Sequence, residues 1–348
     1  MVPNLLPLNS DRTMRLPTVD SWNITLEHQF GSSLVASVAY VGNKGTHVFP
    51  ENQSPDLNQA SLVGFPTVPT NQRGRLFALY GWTQGTKYYG DDANNHFNSL
   101  QARAEKRFSN GLSFQTIYTW ASAYDYTNDY FYWDPAVDYG FTDGQRKHVF
   151  TAINLYELPF GKGRKFLRHA PRAVDLVLGG WQFSGNWVLE SGLPFTPSYQ
   201  NCGSDRDTGP CKPNIMGAVQ TGLNRNAWYT VASTVLTNPA RSTATPCPST
   251  SGITSGPWQE PACATFGNVP RNALFGPNLF NVDLAFAKSF MITERLKAQV
   301  RAETFNAFNH VNLGQPNASV DSSTAGRITG LAAGTTMRRW QFGLRLEF

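Results

Sequence analysis

The residue types that usually carry catalysis or bind metals occur in this chain of 348 residues, but their spacing forms no catalytic or metal site. The six histidines lie in different segments, and neither HxxxH nor HExxH, which place two imidazoles on one zinc ion, is present. Residues 161–165 (GKGRK) lack the spacing of a phosphate-binding loop and are better explained as a basic turn at a membrane edge. Residues 205–209 (DRDTG) lack the distal glutamate of a calcium loop. The sequence therefore predicts no enzyme activity, no metal and no cofactor.

One segment, residues 124–141 (YDYTNDYFYWDPAVDYGF), concentrates aromatic rings among four aspartates. Rings supply contact area and carboxylates accept hydrogen bonds, a combination that suits binding of a sugar or a peptide. The candidate ligand contacts are Tyr126, Asp129, Tyr130, Trp133 and Asp134. The alternative is that the two ends of the segment anchor at a membrane interface and its middle packs against neighbouring loops.

Four cysteines, Cys202, Cys211, Cys247 and Cys263, lie in one stretch rich in Pro, Gly, Ser and Thr. Of the three possible pairings, Cys202–Cys211 with Cys247–Cys263 closes the shortest loops. Paired cysteines in an exposed loop indicate an oxidising compartment, and free surface thiols are the alternative.

The elements that must position these segments are strands, and the last one is the clearest. From Trp340 every second residue is large and apolar, while the residues between are polar, charged or glycine. The apolar series is Trp340, Phe342, Leu344, Leu346 and Phe348. This period of two predicts a strand with one apolar and one polar face. In a membrane β-barrel the first face meets lipid and the second lines a wet lumen.

Similar alternation recurs upstream and predicts about nine strands, at residues 20–30, 34–40, 97–108, 112–120, 147–158, 180–190, 280–290, 296–308 and 338–348. Their connections alternate in length: 31–32, 109–111, 159–179 and 291–295 are the shorter set, and 42–96, 121–146, 191–279 and 309–337 the longer. This sorting is typical of outer-membrane barrels, which have short periplasmic turns and long extracellular loops. On the lumen face, we expect Arg301, Glu303, Arg339, Arg345 and Glu347 to pair across strands.

Composition narrows the class of protein. No run approaches the roughly 18 apolar residues of a membrane helix, and mean hydropathy is −0.34. The net charge of +5 comes from scattered Lys and Arg rather than a basic run with stacking aromatics, which disfavours nucleic acid as a partner. A soluble carbohydrate-binding β-sandwich fits the composition, but that fold does not explain why short and long connections alternate along the chain.

Several runs resemble, in matching order, the TonB-dependent outer-membrane receptors of the Oar-like type, which carry a carboxypeptidase-regulatory-like domain. They are residues 21–25 (SWNIT) before 38–47 (VAYVGNKGTH), 146–150 (RKHVF) with 158–161 (LPFG), 179–182 (GGWQ) and 301–310 (RAETFNAFNH). The resemblance covers most of the chain outside residues 191–279. It implies an amino-terminal sandwich module, a plug domain and a 22-stranded barrel.

About nine strands therefore suggest the carboxy-terminal part of such a barrel. The fold class that we predict is all-β: an antiparallel transmembrane β-barrel segment, as a partial barrel or open curved sheet. Residues 1–19 are expected to be a loop-like start, and residues 191–279 a long cysteine-containing extracellular loop. Because about nine strands make up only the carboxy-terminal part of such a barrel, the plug domain and energy-coupling box are expected to be absent from this chain. A signal peptide is also expected to be absent, since the amino terminus has no basic region followed by an apolar one.

The resemblance implies TonB-dependent uptake of an unidentified solute across the cell outer membrane. The implied partners are outer-membrane lipid, the barrel-assembly machinery, which recognises Trp340 to Phe348, and, in the intact protein only, the plug domain and TonB. A structural or adhesive surface barrel without active transport is the alternative.

Overall fold

A computed structural model describes residues 8–10, 13–49, 56–126, 131–200, 211–232, 236, 247, 252–293 and 296–348. Nine long strands form one antiparallel sheet in which every strand pairs with the next along the chain. We number them β1 (Thr18–Phe30), β2 (Leu34–Val48), β3 (Ala93–Ser109), β4 (Leu112–Tyr126), β5 (His148–Glu157), β6 (Trp181–Glu190), β7 (Leu279–Met291), β8 (Lys297–Phe305) and β9 (Arg339–Glu347). The predicted all-β antiparallel architecture and its strands are confirmed.

The register explains why sequence alternation located these strands. Leu26 of β1 lies opposite Val38, and the same transverse row continues through Tyr118, Phe150 and Leu189. One residue further along, Glu27 lies in the row of Ser37, Arg103 and Thr151 on the opposite face. Because successive side chains alternate between faces, mainly apolar rows on one face alternate with mainly polar rows on the other.

The apolar face of the sheet is uncovered within the described residues. Leu26 is 74% exposed and Phe342 is also 74% exposed, whereas a soluble sandwich would bury such side chains under a second sheet. Trp22 lies across from Gly42, where an added Cβ would collide with the indole ring, so glycine is required for this aromatic to cover the strand.

Strands β3 and β4 extend beyond their predicted limits, to Ala93 and Tyr126. The additional residues continue the backbone ladder, with His96 opposite Tyr124, but the asparagines there place polar groups on both faces. Alternation is therefore lost while pairing continues. The turn between the two strands has Asn110 and Gly111 at φ 51° and 79°, the left-handed conformation that an Asn-Gly hairpin requires.

Short and long connections lie at opposite ends of the strands, as predicted. The short connections at one end are residues 31–33, 110–111, 158–180 and 292–296. The long connections at the other end are 49–92, 127–147, 191–278 and 306–338. The α-helices are α1 (Arg75–Tyr80) and α2 (Arg172–Leu178), and Thr70–Gln72 and Pro135–Asp138 are 3-10 turns. No helix among the described residues is long and apolar enough to span a membrane.

The long connections contain short paired strands. Tyr139–Phe141 extends the main sheet beside β4, and Leu8–Ser10 runs parallel to Lys87–Tyr89. The remaining short strands are Pro194–Phe195, Asn214–Ile215, Thr221–Asn224, Ala227–Tyr229, Thr254–Ser255, Trp258–Gln259 and Leu274–Phe275. Where described, residues 191–278 thus form a folded subdomain within one long connection.

The sheet is open and curls toward its polar face. Glu105 of β3 and Glu303 of β8 line the same cavity although four strands separate them, which a flat sheet with strands about 4.8 Å apart would not allow. In the described part, β1 and β9 each pair with one neighbour only, and their residues are exposed throughout. Both edges therefore present backbone groups that can pair with further strands.

Candidate functional site

The four long connections meet at one end of the strands and form an ordered structure. We call it the loop cap, and it comprises the described residues of 49–92, 127–147, 191–278 and 306–338. Its hydrophobic core lies within the last two connections and comprises Phe195, Tyr199, Tyr229, Leu236, Trp258, Val269, Leu274 and Val320. No sequence pattern predicts this core, because its residues follow no period in a stretch rich in Pro, Gly, Ser and Thr.

Hydrogen bonds from buried aromatic side chains fix the connections to each other. Trp258 is 0% exposed, and its Nε1 donates to the Thr230 carbonyl oxygen at 2.7 Å. The Tyr229 hydroxyl donates to the Asn317 carbonyl at 2.9 Å, which links residues 191–278 to residues 306–338. Tyr229 and Trp258 also meet edge to face, with centroids 5.9 Å apart.

Arg271 joins the loop cap to the sheet. Its buried guanidinium donates to Asp125 Oδ1, at the end of β4, at 2.6 Å, and to Asp143 Oδ2 at 2.7 Å. The neighbouring Asn272 amide donates to Asp143 Oδ1 and to the Phe141 carbonyl, both at 2.6 Å. Burial by itself would raise the pKa of Asp143, but the hydrogen bonds from Asn272 and Arg271 and the charge of Arg271 hold that pKa below its ordinary value.

The Asp143 contacts predict that the loop cap loosens in acid. Because the folded pKa of Asp143 is depressed, its stabilising contribution is complete above the ordinary value of 3.8 and is lost as the pH falls through the lower folded value. Protection of loop-cap amides against hydrogen exchange should therefore decline below about pH 4, and Asp143→Asn should reduce that decline. An unchanged acid profile in the Asn variant would contradict this assignment.

The aromatic segment packs against neighbouring connections while keeping part of its surface free. Phe131 is buried against Phe266, with centroids 4.7 Å apart. Trp133 donates from Nε1 to the Gln59 carbonyl at 2.8 Å but stays 42% exposed, and Asp134 is exposed beside it.

At the start of this segment, Tyr126 contacts Tyr139, with centroids 4.9 Å apart. Asp129 and Tyr130 lie outside the described residues. Each interpretation of the segment is therefore supported by one observation. The middle of the segment packs against other loops, and Trp133 and Asp134 are accessible to a ligand.

A second aromatic group, which sequence reasoning missed, lies at the ends of β3 and β4 next to the loop cap. His96 stacks on Tyr124 with centroids 5.1 Å apart, and the Tyr139 hydroxyl contacts His96 Nδ1 at 2.9 Å. Tyr124 and Tyr139 belong to the aromatic segment, and the register of β3 against β4 brings His96 to them.

The concave polar face carries an open cavity of about 710 Å³ that runs from the cap end of β8 to the hairpin end of β3 and β4. Its lining combines polar and charged side chains, among them Glu105, Gln115, Asn186, Asp283, Arg301 and Glu303, with apolar ones such as Ile153, Leu155 and Phe305. The cavity lies along the face that the sequence predicts to line a lumen.

The charges on this face pair differently from expectation. Arg301 bonds Glu303 at 2.6 Å and Arg345 bonds Glu347 at 3.0 Å, each within one strand, so the predicted pairing across strands is wrong for them. Residues two apart share a face, and the partner lies within reach along the strand. Arg339 instead lies over the Phe305 ring, 5.8 Å from its centroid.

The remaining predicted residues are the cysteines of the loop cap and the apolar series of β9. Cys247 and Cys263 are disulfide-bonded with Cα atoms 5.4 Å apart, Cys211 is also in a disulfide, and Cys202 lies outside the described residues. On β9, Trp340, Phe342, Leu344 and Leu346 lie on the exposed apolar face, and Phe348 follows, fully exposed. Across the described ranges, no three His, Cys, Asp or Glu side chains are grouped to hold a metal ion.

Comparison with known proteins agrees with this architecture. A family model described as an outer membrane beta barrel domain matches residues 2–341. No curated protein matches the chain.

Among solved structures, the FpvAI–pyocin S2 complex is 10% identical, with 96% of this chain and 28% of that chain covered and a TM-score of 0.44. The ferripyoverdine receptor of the outer membrane of Pseudomonas aeruginosa, bound to ferripyoverdine, is 12% identical, with 95% and 27% covered and a TM-score of 0.41. The outer membrane transporter YddB from Escherichia coli is 8% identical, with 99% and 34% covered and a TM-score of 0.42. The chain therefore spans about a third or less of each of these proteins.

Proposed function

This chain belongs to the outer membrane β-barrel domain family, and from that premise we propose that it is the carboxy-terminal part of a TonB-dependent receptor of the Oar-like type. In this proposal residues 1–348 supply nine strands of a larger barrel, and residues 191–279 supply an extracellular ligand-capture region. The preceding strands of the intact protein pair with the open edges of β1 and β9, and a plug domain contacts the concave face.

The observation that carries the proposal is that the cavity on the polar face reaches the cap end of β8 at Phe305, where the connection 306–338 of the loop cap begins. Arg271 also fixes the cap to the end of β4 through Asp125, so in this proposal a solute held by the cap lies at the entrance to the polar face. Release of the plug by TonB would open the path along that face. No bond of the solute is made or broken, so the proposal includes no enzyme activity.

Uptake measurements on the intact outer-membrane protein test this function. Cells that make it should accumulate one member of a panel of labelled peptides, oligosaccharides and metal chelates, and accumulation should stop without TonB or with a protonophore. A solute that binds the cell surface equally with and without TonB, and never accumulates, would contradict uptake.

That second outcome would support a structural or adhesive surface barrel. The closed packing of the loop cap favours this alternative, because a surface with its own hydrophobic core can bind another cell or matrix without opening. Loss of cell aggregation on deletion of residues 191–279, without any change in uptake, would be its signature.

The exposed part of the aromatic segment provides a local test of ligand capture. Trp133→Ala combined with Asp134→Asn is expected to weaken binding of the accumulated solute by about tenfold, because the ring supplies contact area and the carboxylate an acceptor. Tyr80→Ala is the control, since Tyr80 is an exposed aromatic of α1 in the same cap. Equal binding by the double variant and the control would remove Trp133 and Asp134 from the site.

A further inference from the structure

We infer that residues 158–180, the connection between β5 and β6, bind an anionic phospholipid of the periplasmic leaflet of the outer membrane. We call this connection the interfacial segment. An acyl chain occupies an apolar cleft beside Trp181, and the headgroup phosphate lies near Lys165 and Arg168. The inference rests on membership of an outer-membrane family and on the orientation of such barrels, in which the ends of the strands joined by short connections face the periplasm. It does not depend on transport.

The cleft is built from the interfacial segment and the first residue of β6. Its volume is about 490 Å³, and it is lined by Leu158, Phe160, Phe166, Leu167, Leu178 and Trp181. Every lining residue is apolar or aromatic. Phe166 and Leu178 stay 48% and 47% exposed, so the cleft opens to its surroundings. This volume lies within the range of small-ligand pockets.

The cleft continues the apolar face of the sheet. Trp181 lies in the same transverse row as Val300 and Leu344, both on that face. Val174, Val177 and Leu178 of α2 recur at helical spacing and are exposed, as on a helix that lies in a membrane interface. The surface that meets lipid therefore extends from the strands onto the interfacial segment.

Leu167 indicates that something covers the cleft. Its φ is 62°, a left-handed conformation that Gly or Asn adopts at lower cost than a bulky residue. Its side chain is nevertheless 42% exposed within this chain. A strained, exposed leucine is stabilised when an outside apolar group, such as an acyl chain, buries it.

Charge determines which lipid fits. The interfacial segment holds five Lys or Arg and one Asp. Arg164 pairs with Glu157 at 2.8 Å. Lys162 and Arg172 line a separate cavity of about 1150 Å³ together with Arg345 and Glu347 of the polar, concave face. Lys165, by contrast, lies with its ammonium 5.5 Å from the centroid of Phe166, a cleft residue, and Arg168 is exposed next to Leu167.

Lysines of the apolar face mark the level of the headgroups. Lys106 of β3 turns its ammonium to the Ser109 carbonyl at 3.0 Å. Lys288 of β7, which is buried beside Trp181, donates to the Gly179 carbonyl of the interfacial segment. Long cationic side chains on a lipid-facing surface direct their charge to the interface in this way. Basic pockets at that level bind anionic headgroups, which favours phospholipid over a periplasmic protein.

Native mass spectrometry of the full chain in neutral detergent micelles tests the inference, with phosphatidylglycerol and phosphatidylcholine as probes. We expect preferential binding of phosphatidylglycerol. Lys165→Gln with Arg168→Gln should weaken it about 25-fold, because each of the two cations near a membrane surface contributes about a factor of five. Lys162→Gln with Arg172→Gln removes the same charge on the concave side and should change binding by less than about twofold. Equal binding of the two lipids, or equal effects of the two double variants, would overturn the inference.

A second variant tests the cleft itself. Leu167→Asn suits the left-handed backbone and should leave thermal stability unchanged or raised, while phosphatidylglycerol binding falls severalfold. Wild-type affinity in this variant would overturn the placement of the acyl chain. Capture of a periplasmic protein, and no phospholipid, by a photocrosslinker at position 166 would overturn the choice of partner. Failure of solute uptake would leave each of these outcomes unaffected.

Discussion

Replacing Phe348 by Ala is expected to reduce the folded protein in the outer membrane by about tenfold, because assembly of a β-barrel depends on correct pairing of its strands. Phe348 is fully exposed and ends the apolar series of β9, an edge strand whose backbone is free to pair in the described structure. We propose, from the family resemblance, that the barrel-assembly machinery recognises this series. The measurement is the heat-modifiable, folded fraction on gels of outer-membrane preparations.

Glu347→Gln is the matched control, because Glu347 is adjacent in sequence but lies on the polar face beside Arg345. It should leave the folded fraction within about twofold of wild type, since the apolar series is intact. Equal loss in both variants would indicate a general defect of the terminal strand. A normal folded fraction in the Phe348 variant would remove the recognition role.

Trp258→Ala is expected to destabilise the loop cap by about 3–5 kcal/mol, the range for removal of a buried aromatic side chain. The substitution leaves a cavity under Tyr229 and removes the hydrogen bond to the Thr230 carbonyl. Hydrogen exchange should accelerate at Tyr229 and at other core residues of the cap. The amides of β3 and β4 should exchange as in wild type, because they are protected by the ladder of the sheet.

Trp258→Phe separates the two losses, since it keeps most of the ring volume and removes the donor. Its expected cost is about 1–3 kcal/mol, mainly the unsatisfied Thr230 carbonyl. Trp133→Ala is the surface control and should cost less than about 1 kcal/mol of cap stability, because Trp133 is 42% exposed. Simultaneous unfolding of the sheet and the cap in Trp258→Ala would contradict the separate hydrophobic core.

Contacts between residues distant in the chain were beyond sequence reasoning. Arg271 and Asp125 are 146 positions apart, and neither neighbourhood has a pattern that points to the other. Tyr199, Tyr229 and Trp258 lie in a stretch without periodicity, so the sequence predicts a long loop there but not the hydrophobic core that these residues form. Charge pairs on the polar face failed for a related reason. The sequence identified the face of Arg301 and Glu303, but side-chain reach decided that they pair along one strand.

The sequence by itself determined the sheet: nine strands, their order, the face that each residue occupies and the end of the strands at which each connection lies. These follow from a period of two and from short turns, which are local properties of the backbone. Tertiary structure alone decided the core of the loop cap, the Arg271 contacts, the stack of His96 on Tyr124 and the cleft beside Trp181. Each of these depends on side chains from separate segments meeting at a particular distance, and no local pattern encodes that distance.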